Sequence, residues 1–334
     1  MPLRKVLLIQ PQNTKHWNFD RSIIDFFCRT YDVTFYAPEG YLNDIVKFNI
    51  TRINISREIF THSGLRARLQ SIKTILNINK LLKKETFDIV FFLSYDTLSL
   101  SMFWQKKAII CEHNNLDGIE NRLVKRWMYK KLNKNIISIA LSEHIVDYVQ
   151  HNSKREVFLL NHPLPVVKTH ALLCDKNPSK IVIFSPSGGN NDQISNKLKD
   201  FVRNESRYFA YIKGKKSEAQ DNYLVSEYFQ NYEEILESCS VVYIGGDFNN
   251  RVSGVVFEAL FYGKLVVMHR NKFSLDMKRK FPNMVKLINN IEDILHIENN
   301  ISLFKADYDK FLQRHSQGEI DNQLVHTIEG YDKV

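Results

Sequence analysis

Short apolar runs alternate with stretches of helical periodicity from one end of the chain to the other, and no other feature restricts the fold as much. Runs of strand length stand at Val6–Ile9, Val33–Tyr36, Ile89–Leu93, Ala108–Cys111, Ile136–Leu141 and Val157–Leu160. Four more stand at Ile181–Ser185, Tyr208–Ile212, Val241–Ile244 and Leu265–Met268. Helical patterns lie between them, over Arg21–Arg29, Gly64–Lys84, Asn121–Lys134 and Glu143–Gln150. Strands that are apolar on both faces need cover on both faces. A helix crossing from one strand to the next supplies that cover and keeps the strands parallel. The expected class is α/β with doubly wound, Rossmann-like sheets.

At 334 residues the chain exceeds what one core usually organises, and its 44% apolar and 12% aromatic content can fill two. The break is expected at Asn161-His162-Pro163-Leu164-Pro165, where two prolines disfavour regular structure, with an irregular stretch following to Ser179. This divides the chain into 1–165, 166–301 and a helical segment 302–334, with the ligand in the cleft facing the carboxyl ends of both sheets. The last segment carries Leu303, Phe304, Tyr308, Phe311 and Leu312 on its apolar face. It either caps the second domain or crosses back to the first.

Forty-six Lys and Arg against 37 Asp and Glu give a net charge of +9, which favours an anionic partner: nucleotide, phospholipid surface or nucleic acid. No aromatic-interleaved basic run, zinc spacing or helix-turn-helix pattern supports nucleic acid, so none is expected. Cys28, Cys111, Cys174 and Cys239 are far apart and show no paired spacing, as for reduced thiols of a cytoplasmic protein. Only four consecutive apolar residues follow the charged start, and no later run approaches the roughly 18 that span a bilayer. Any membrane contact is expected to be peripheral.

The segment that points to chemistry is Asn249-Asn250-Arg251-Val252-Ser253-Gly254-Val255-Val256-Phe257-Glu258, continuing through Gly263 to Val267. It reads as a loop, a tight helix entry at Ser253-Gly254, a short helix bearing Glu258, a stop at Gly263 and a buried strand. Such an entry leaves backbone N–H groups unpaired at the positive end of the helix dipole, which suits a phosphate.

This segment resembles the donor-binding signature of GT-B glycosyltransferases, family 4 and related bacterial surface-polysaccharide enzymes especially. There a loop opens a Glu-bearing helix and a Gly-x-x-Val-Val strand follows. The resemblance implies two Rossmann-like domains facing across a cleft, a 1–165 acceptor domain and a 166–301 nucleotide-sugar donor domain, with the last helices crossing back. It implies that the loop holds the nucleotide diphosphate and that Glu258 bonds the ribose. The family's second Glu is here Asn250, which can hydrogen-bond a hydroxyl but brings no charge. Arg251 is a further departure and offers phosphate a planar donor fork.

Other residues join this reading. Ser187, Gly188 and Asn190, in the loop after Ile181–Ser185, are small or polar and suit close approach to a diphosphate or sugar. Lys213, at the end of Tyr208–Ile212, can neutralise a departing nucleoside diphosphate. Tyr228, Phe229 and Tyr232 lie where relatives hold the nucleobase, although aromatics at this spacing also suit a core. Glu112 and His113 end an apolar strand in a polar cluster that burial alone does not call for. By resemblance His113 touches the donor sugar, and Glu112 or Asp117 is a candidate acceptor base. Asp20 is expected to cap the helix from Arg21, and His16 is a lesser candidate base. Asp307-Tyr308-Asp309 has a metal-binding form but falls in a helical segment, so neither metal nor cofactor is expected; the nucleotide-sugar is a substrate.

Two helices are basic and free of acid, 61–84 and 122–134, with expected packing stripes at Leu65, Leu69 and Ile72 and at Leu123 and Trp127. They present either a solvated face or a peripheral contact with an anionic membrane. The function expected is transfer of a sugar from a nucleotide-sugar, by resemblance a UDP-sugar, to a glycan or lipid-linked acceptor in capsule or lipopolysaccharide synthesis, at the inner face of the cytoplasmic membrane. The rivals are a sugar-nucleotide epimerase or hydrolase of the same fold, and a basic nucleic-acid-binding protein.

Overall fold

The computed structural model describes residues 3–11, 17–38, 51–55, 65–104, 107–113, 116, 119, 122–165, 180–186, 192–296 and 301–334. By its internal contacts the chain divides into two compact units. Unit 1 comprises Met1–Pro163, Asn250–Val252 and Gln317–Val334; unit 2 comprises Leu164–Asn249 and Ser253–Ser316.

Unit 1 is built on seven parallel strands: β1 (Lys5–Ile9), β2 (Asp32–Pro38), β3 (Thr51–Ile55), β4 (Ile89–Phe92), β5 (Ala108–Glu112), β6 (Ile136–Ala140) and β7 (Val157–Leu159). Their order, β3-β2-β1-β4-β5-β6-β7, reverses direction at β1. The two halves are therefore wound oppositely, and helices cover both faces. On one face α1 (Trp17–Thr30) buries Phe19, Ile23, Ile24 and Phe27. Beside it α11 (Gln317–Lys333) adds Ile320, Leu324, Ile328 and Tyr331. On the other lie α2 (Leu65–Leu81), α3 (Thr97–Leu100), α4 (Leu123–Lys131) and α5 (Glu143–Asn152).

The helix α11 is the last of the chain yet belongs to the first unit. Arg4 forks onto Asp332 at 2.7 and 2.9 Å, Arg29 grips Asp321, and Gln323 accepts the Asn161 N–H at 2.8 Å. Gly330 permits the close approach: a Cβ there would stand 2.3 Å from Cζ of Phe158 on β7.

Unit 2 has a second seven-stranded sheet. Its strands are β8 (Ile181–Ser185), β9 (Tyr208–Lys213), β10 (Glu218–Gln220), β11 (Tyr223–Ser226), β12 (Val241–Ile244), β13 (Leu265–His269) and β14 (Val285–Ile288). The order is β10-β11-β9-β8-β12-β13-β14, parallel except for β10. Its helices are α6 (Asp192–Asn204), α7 (Tyr232–Ser238), α8 (Gly254–Phe261), α9 (Lys272–Lys280) and α10 (Ile301–Arg314).

All ten apolar runs form strands, and four strands lay outside that pattern. β3 alternates polar and apolar residues at the edge of its sheet, β10 is three exposed or half-exposed residues, and β11 and β14 are short and carry Ser or Lys. β3, β10 and β14 are edge strands and β11 is next to an edge, so none of the four carries a continuous apolar run. Two packing expectations are corrected. α2 buries Ile75 and Ile78, whereas Leu69 is exposed; Leu123 and Trp127 of α4 are also exposed, and Tyr129 faces the core. No helix among the described residues is long and apolar enough to cross a membrane.

Candidate functional site

The helix α8 is framed by the residues that mark it in the sequence. Ser253 is its N-cap in extended conformation, and the first intrahelical bond runs from Val256 N–H to the Ser253 carbonyl at 3.1 Å. The N–H groups of Gly254 and Val255 precede that bond and have no place in the helical ladder. At the far end Gly263 adopts φ +63°, with Lys264 N–H on Ala259 O and Gly263 N–H on Leu260 O, both at 2.9 Å. This pair of bonds closes the helix, and the left-handed residue between them is one that glycine adopts without strain.

Two buried polar side chains at the helix entry lack the partners a closed structure would give them. Ser253 makes no side-chain capping bond. Asn250 is buried, and its Oδ1 accepts no hydrogen bond from any described residue. Such a buried acceptor carries a desolvation cost that a ligand hydroxyl would remove. The loop that holds them is pinned from below, where Phe248 is buried with its ring 6.0 Å from Phe273. Asn249 Oδ1 accepts the Lys272 N–H at 3.2 Å.

Glu258 sits one turn into α8, about 6 Å along the axis from the entry, and is half-buried. The Tyr232 hydroxyl on α7 donates to its Oε2 at 2.9 Å. No described residue donates to Oε1. Burial raises the carboxyl pKa above its ordinary value; the Tyr232 bond opposes the rise and nearby Glu233 adds to it. Glu258 is thus a positioned acceptor with one oxygen still available.

Around this helix entry stand the carboxyl ends of the parallel strands. Lys213 is exposed at the end of β9, two strands from β12 and therefore about 10 Å across the sheet. Arg251 is half-exposed in the loop itself. His269 ends β13, with Nε2 2.8 Å from the Tyr243 hydroxyl and the backbone at Ile288 and Asn289 as its other partner. Burial lowers the His269 pKa, which favours the neutral ring with its proton toward that backbone. Sequence reading missed His269 and the Tyr232–Glu258 pair; a His closing a buried strand was the available signal for the first. Ser187, Gly188 and Asn190 lie outside the described residues.

The aromatic trio separates into three roles. Tyr228 is exposed. Phe229 is buried, with edge-on contacts to Phe184 at 5.8 Å and Tyr211 at 5.9 Å, so it belongs to the core and cannot stack on a base. Tyr232 lies edge-on to Phe184 at 5.3 Å and is committed to Glu258, which corrects the expectation of a nucleobase platform there.

In unit 1, Glu112 is corrected as well. Its side chain is 0% exposed, and it accepts from the Tyr95 hydroxyl at 2.6 Å, the Tyr129 hydroxyl at 3.0 Å and Ser138 Oγ at 3.1 Å. Arg155 lies 3.5 Å away, itself buried and 4.4 Å over the Tyr129 ring. A carboxylate with this many donors, sealed from water, is a structural anion and is not placed to take a proton from an acceptor. Its neighbour His113 is buried with its ring 4.5 Å from Phe19, and His162 stands 5.5 Å from that same ring. Asp20 lies inside α1, not at its cap, and accepts from Gln10 Nε2 at 2.7 Å; Gln10 in turn accepts from Ser94. Asp307 accepts the Asn283 N–H at 2.6 Å.

No family model matches the chain, and no curated protein matches it in sequence. Solved structures match it over nearly the whole length. Sucrose-phosphate synthase from Thermosynechococcus elongatus aligns with TM-score 0.69 at 11% identity, over 98% of both chains. The Anabaena protein HepE in complex with UDP-glucose aligns with TM-score 0.68 at 11% identity, over 97% of this chain and 99% of that one. UDP-N-acetylglucosamine 2-epimerase from Rickettsia bellii aligns with TM-score 0.63 at 14% identity, over 98% and 97%. At these identities the likeness carries the architecture alone, and the chain has the two-unit α/β fold of GT-B glycosyltransferases and of the epimerases that share it.

Proposed function

We propose that the protein is a glycosyltransferase that moves a sugar from a UDP-sugar to a glycan or lipid-linked acceptor in the assembly of a bacterial surface polysaccharide, capsule or lipopolysaccharide. The observation that carries the reading is the α8 entry. N–H groups outside the helical ladder and an uncapped Ser253 stand about one turn before a carboxylate with a spare oxygen, and the unsatisfied Asn250 lies in the loop just ahead of them. A nucleoside diphosphate matches this arrangement, with its phosphates on the helix end and Arg251 and its ribose hydroxyls on Glu258 Oε1. Asn250 Oδ1 then accepts from a sugar hydroxyl. HepE with UDP-glucose lends the choice of a UDP-sugar.

In the reaction the bond from the anomeric carbon to the β-phosphate oxygen breaks, and a bond to the acceptor oxygen forms. The acceptor hydroxyl passes its proton to water or to the departing diphosphate, on which negative charge builds as the old bond breaks. Lys213, Arg251 and the α8 dipole meet that charge electrostatically. In unit 1, His113 is the residue proposed to contact the sugar, and Tyr228 the one proposed at the base. No metal or cofactor enters this scheme.

Calorimetry with UDP and UDP-sugars tests the site: wild type binds, and Glu258→Ala binds more weakly while folding normally. Unchanged affinity removes the ribose role. Lys213→Ala is expected to lower turnover more than donor binding; equal losses make Lys213 a binding residue only. Rapid conversion of a UDP-sugar without any acceptor would replace transfer with the epimerase or hydrolase chemistry of the same fold.

A further inference from the structure

We infer that the outer face of α2, α3 and α4 is a docking surface for an anionic phospholipid bilayer, with Leu123, Val124 and Trp127 entering the boundary between headgroups and acyl chains. The sequence places Leu123 and Trp127 in a packing stripe, and the structure turns them outward. Leu123 is 79% exposed, Val124 72% and Trp127 62%. Leu123 and Trp127 are one turn apart, and Val124 lies beside them, so the three form a single apolar patch at the start of α4.

The patch does not stand alone. α3 packs against both α2 and α4, and just beyond α3 Met102 and Trp104 are 40% and 60% exposed. The Lys83 ammonium sits 4.0 Å over the Trp104 ring. Along α2, Leu69, Lys73, Leu76 and Lys80 follow one another at helical spacing, all exposed. Of the thirteen large apolar side chains exposed among the described residues, seven lie on this one face. That clustering is not what scattered surface hydrophobics produce.

Charge selects the occupant. Arg122, Arg126, Lys130, Lys131 and Lys134 are exposed on or beside α4, and neither α2 nor α4 carries an acid. A second copy of the same face would oppose like charges. A nucleic-acid backbone would meet the cations and leave Leu123 and Val124 without an apolar partner. A bilayer of anionic lipid offers both: phosphates for Lys and Arg, and an acyl boundary for Leu, Val and Trp. The long basic side chains can reach the headgroups while their stems lie along the apolar patch. The inference goes beyond the proposed reaction and does not depend on it, since it concerns a face remote in sequence from α8.

The test is flotation of the full chain with phosphatidylcholine vesicles, with and without phosphatidylglycerol. Wild type is expected to float only with phosphatidylglycerol, and less as salt is added. The triple variant Leu123→Gln, Val124→Gln, Trp127→Gln is expected to lose binding by at least about tenfold. The triple variant Arg126→Gln, Lys130→Gln, Lys131→Gln is expected to bind weakly and with less salt dependence, since the cations of α2 remain. Both should melt as wild type does and keep its nucleotide affinity in solution, because the substituted side chains are exposed. The inference is overturned if wild type ignores vesicles, if it binds uncharged vesicles equally well, or if either variant floats like wild type. It is overturned too if wild type proves a dimer that the apolar variant dissolves, which would make this face a contact between copies.

Discussion

Glu112 and Glu258 make the instructive pair. Both stand among apolar residues near one end of a parallel sheet, and the sequence offers both as site residues. Their surroundings differ in the number of donors and in exposure. Glu112 meets two tyrosine hydroxyls, a serine and an arginine, with no exposed surface. Glu258 meets one tyrosine through one oxygen and is half-buried. A carboxylate whose partners are all supplied by its own unit is part of the scaffold. One left with an open oxygen is ready for a ligand.

The largest effect is expected from Glu112→Ala, which leaves Arg155 buried without its counter-charge and should cost about 3–5 kcal/mol in chemical denaturation. Its folded fraction should bind nucleotide normally, and a variant of wild-type stability would break the contrast. Glu258→Ala should do the opposite: nucleotide affinity falls roughly 10–100-fold, as for loss of a charged hydrogen bond of about 1.5–3 kcal/mol, with little change in melting. Tyr232→Phe removes only the group that orients Glu258. Affinity should drop a further step less, by about 2–10-fold for a bond of about 0.5–1.5 kcal/mol. Equal damage from both substitutions would mean that Tyr232 itself contacts the ligand.

The smallest effect concerns pH. Burial raises the Glu258 carboxyl above its ordinary 4.5 in the folded protein. Between that value and the raised one the folded state holds the proton more tightly than the unfolded state. Stability therefore falls as pH rises through this window. Glu258→Gln should be the more stable form above the window, and the two proteins should converge below pH 4.5. Wild type gaining on the variant as pH rises would reverse the assigned cause.

Much of this arrangement is legible in the chain because it depends on neighbours in sequence. The apolar runs become strands, Gly263 ends α8 with a left-handed turn, and Ser253 stands at its entry. Each follows from local geometry and burial, where residue type and spacing suffice. The edge strand β3 escapes that logic, since among the described residues one side of it has no neighbouring strand to demand apolar residues. So does Asp20: its type and position suit a cap, but Gln10, at the end of β1, draws it into the interior.

Composition and periodicity by themselves determined the α/β class, the β–α order and the helix that bears Glu258. Tertiary structure alone decided which charged and aromatic residues are occupied and which are open. Tyr129 turns inward to Glu112 while Trp127, two residues earlier, turns out to solvent. Tyr232 is taken by Glu258 while Tyr228 stays exposed. The physical reason is that partners of a buried charge come from distant parts of the chain. Tyr95, Ser138 and Arg155 reach Glu112 from 17, 26 and 43 residues away, a separation at which no local pattern carries information.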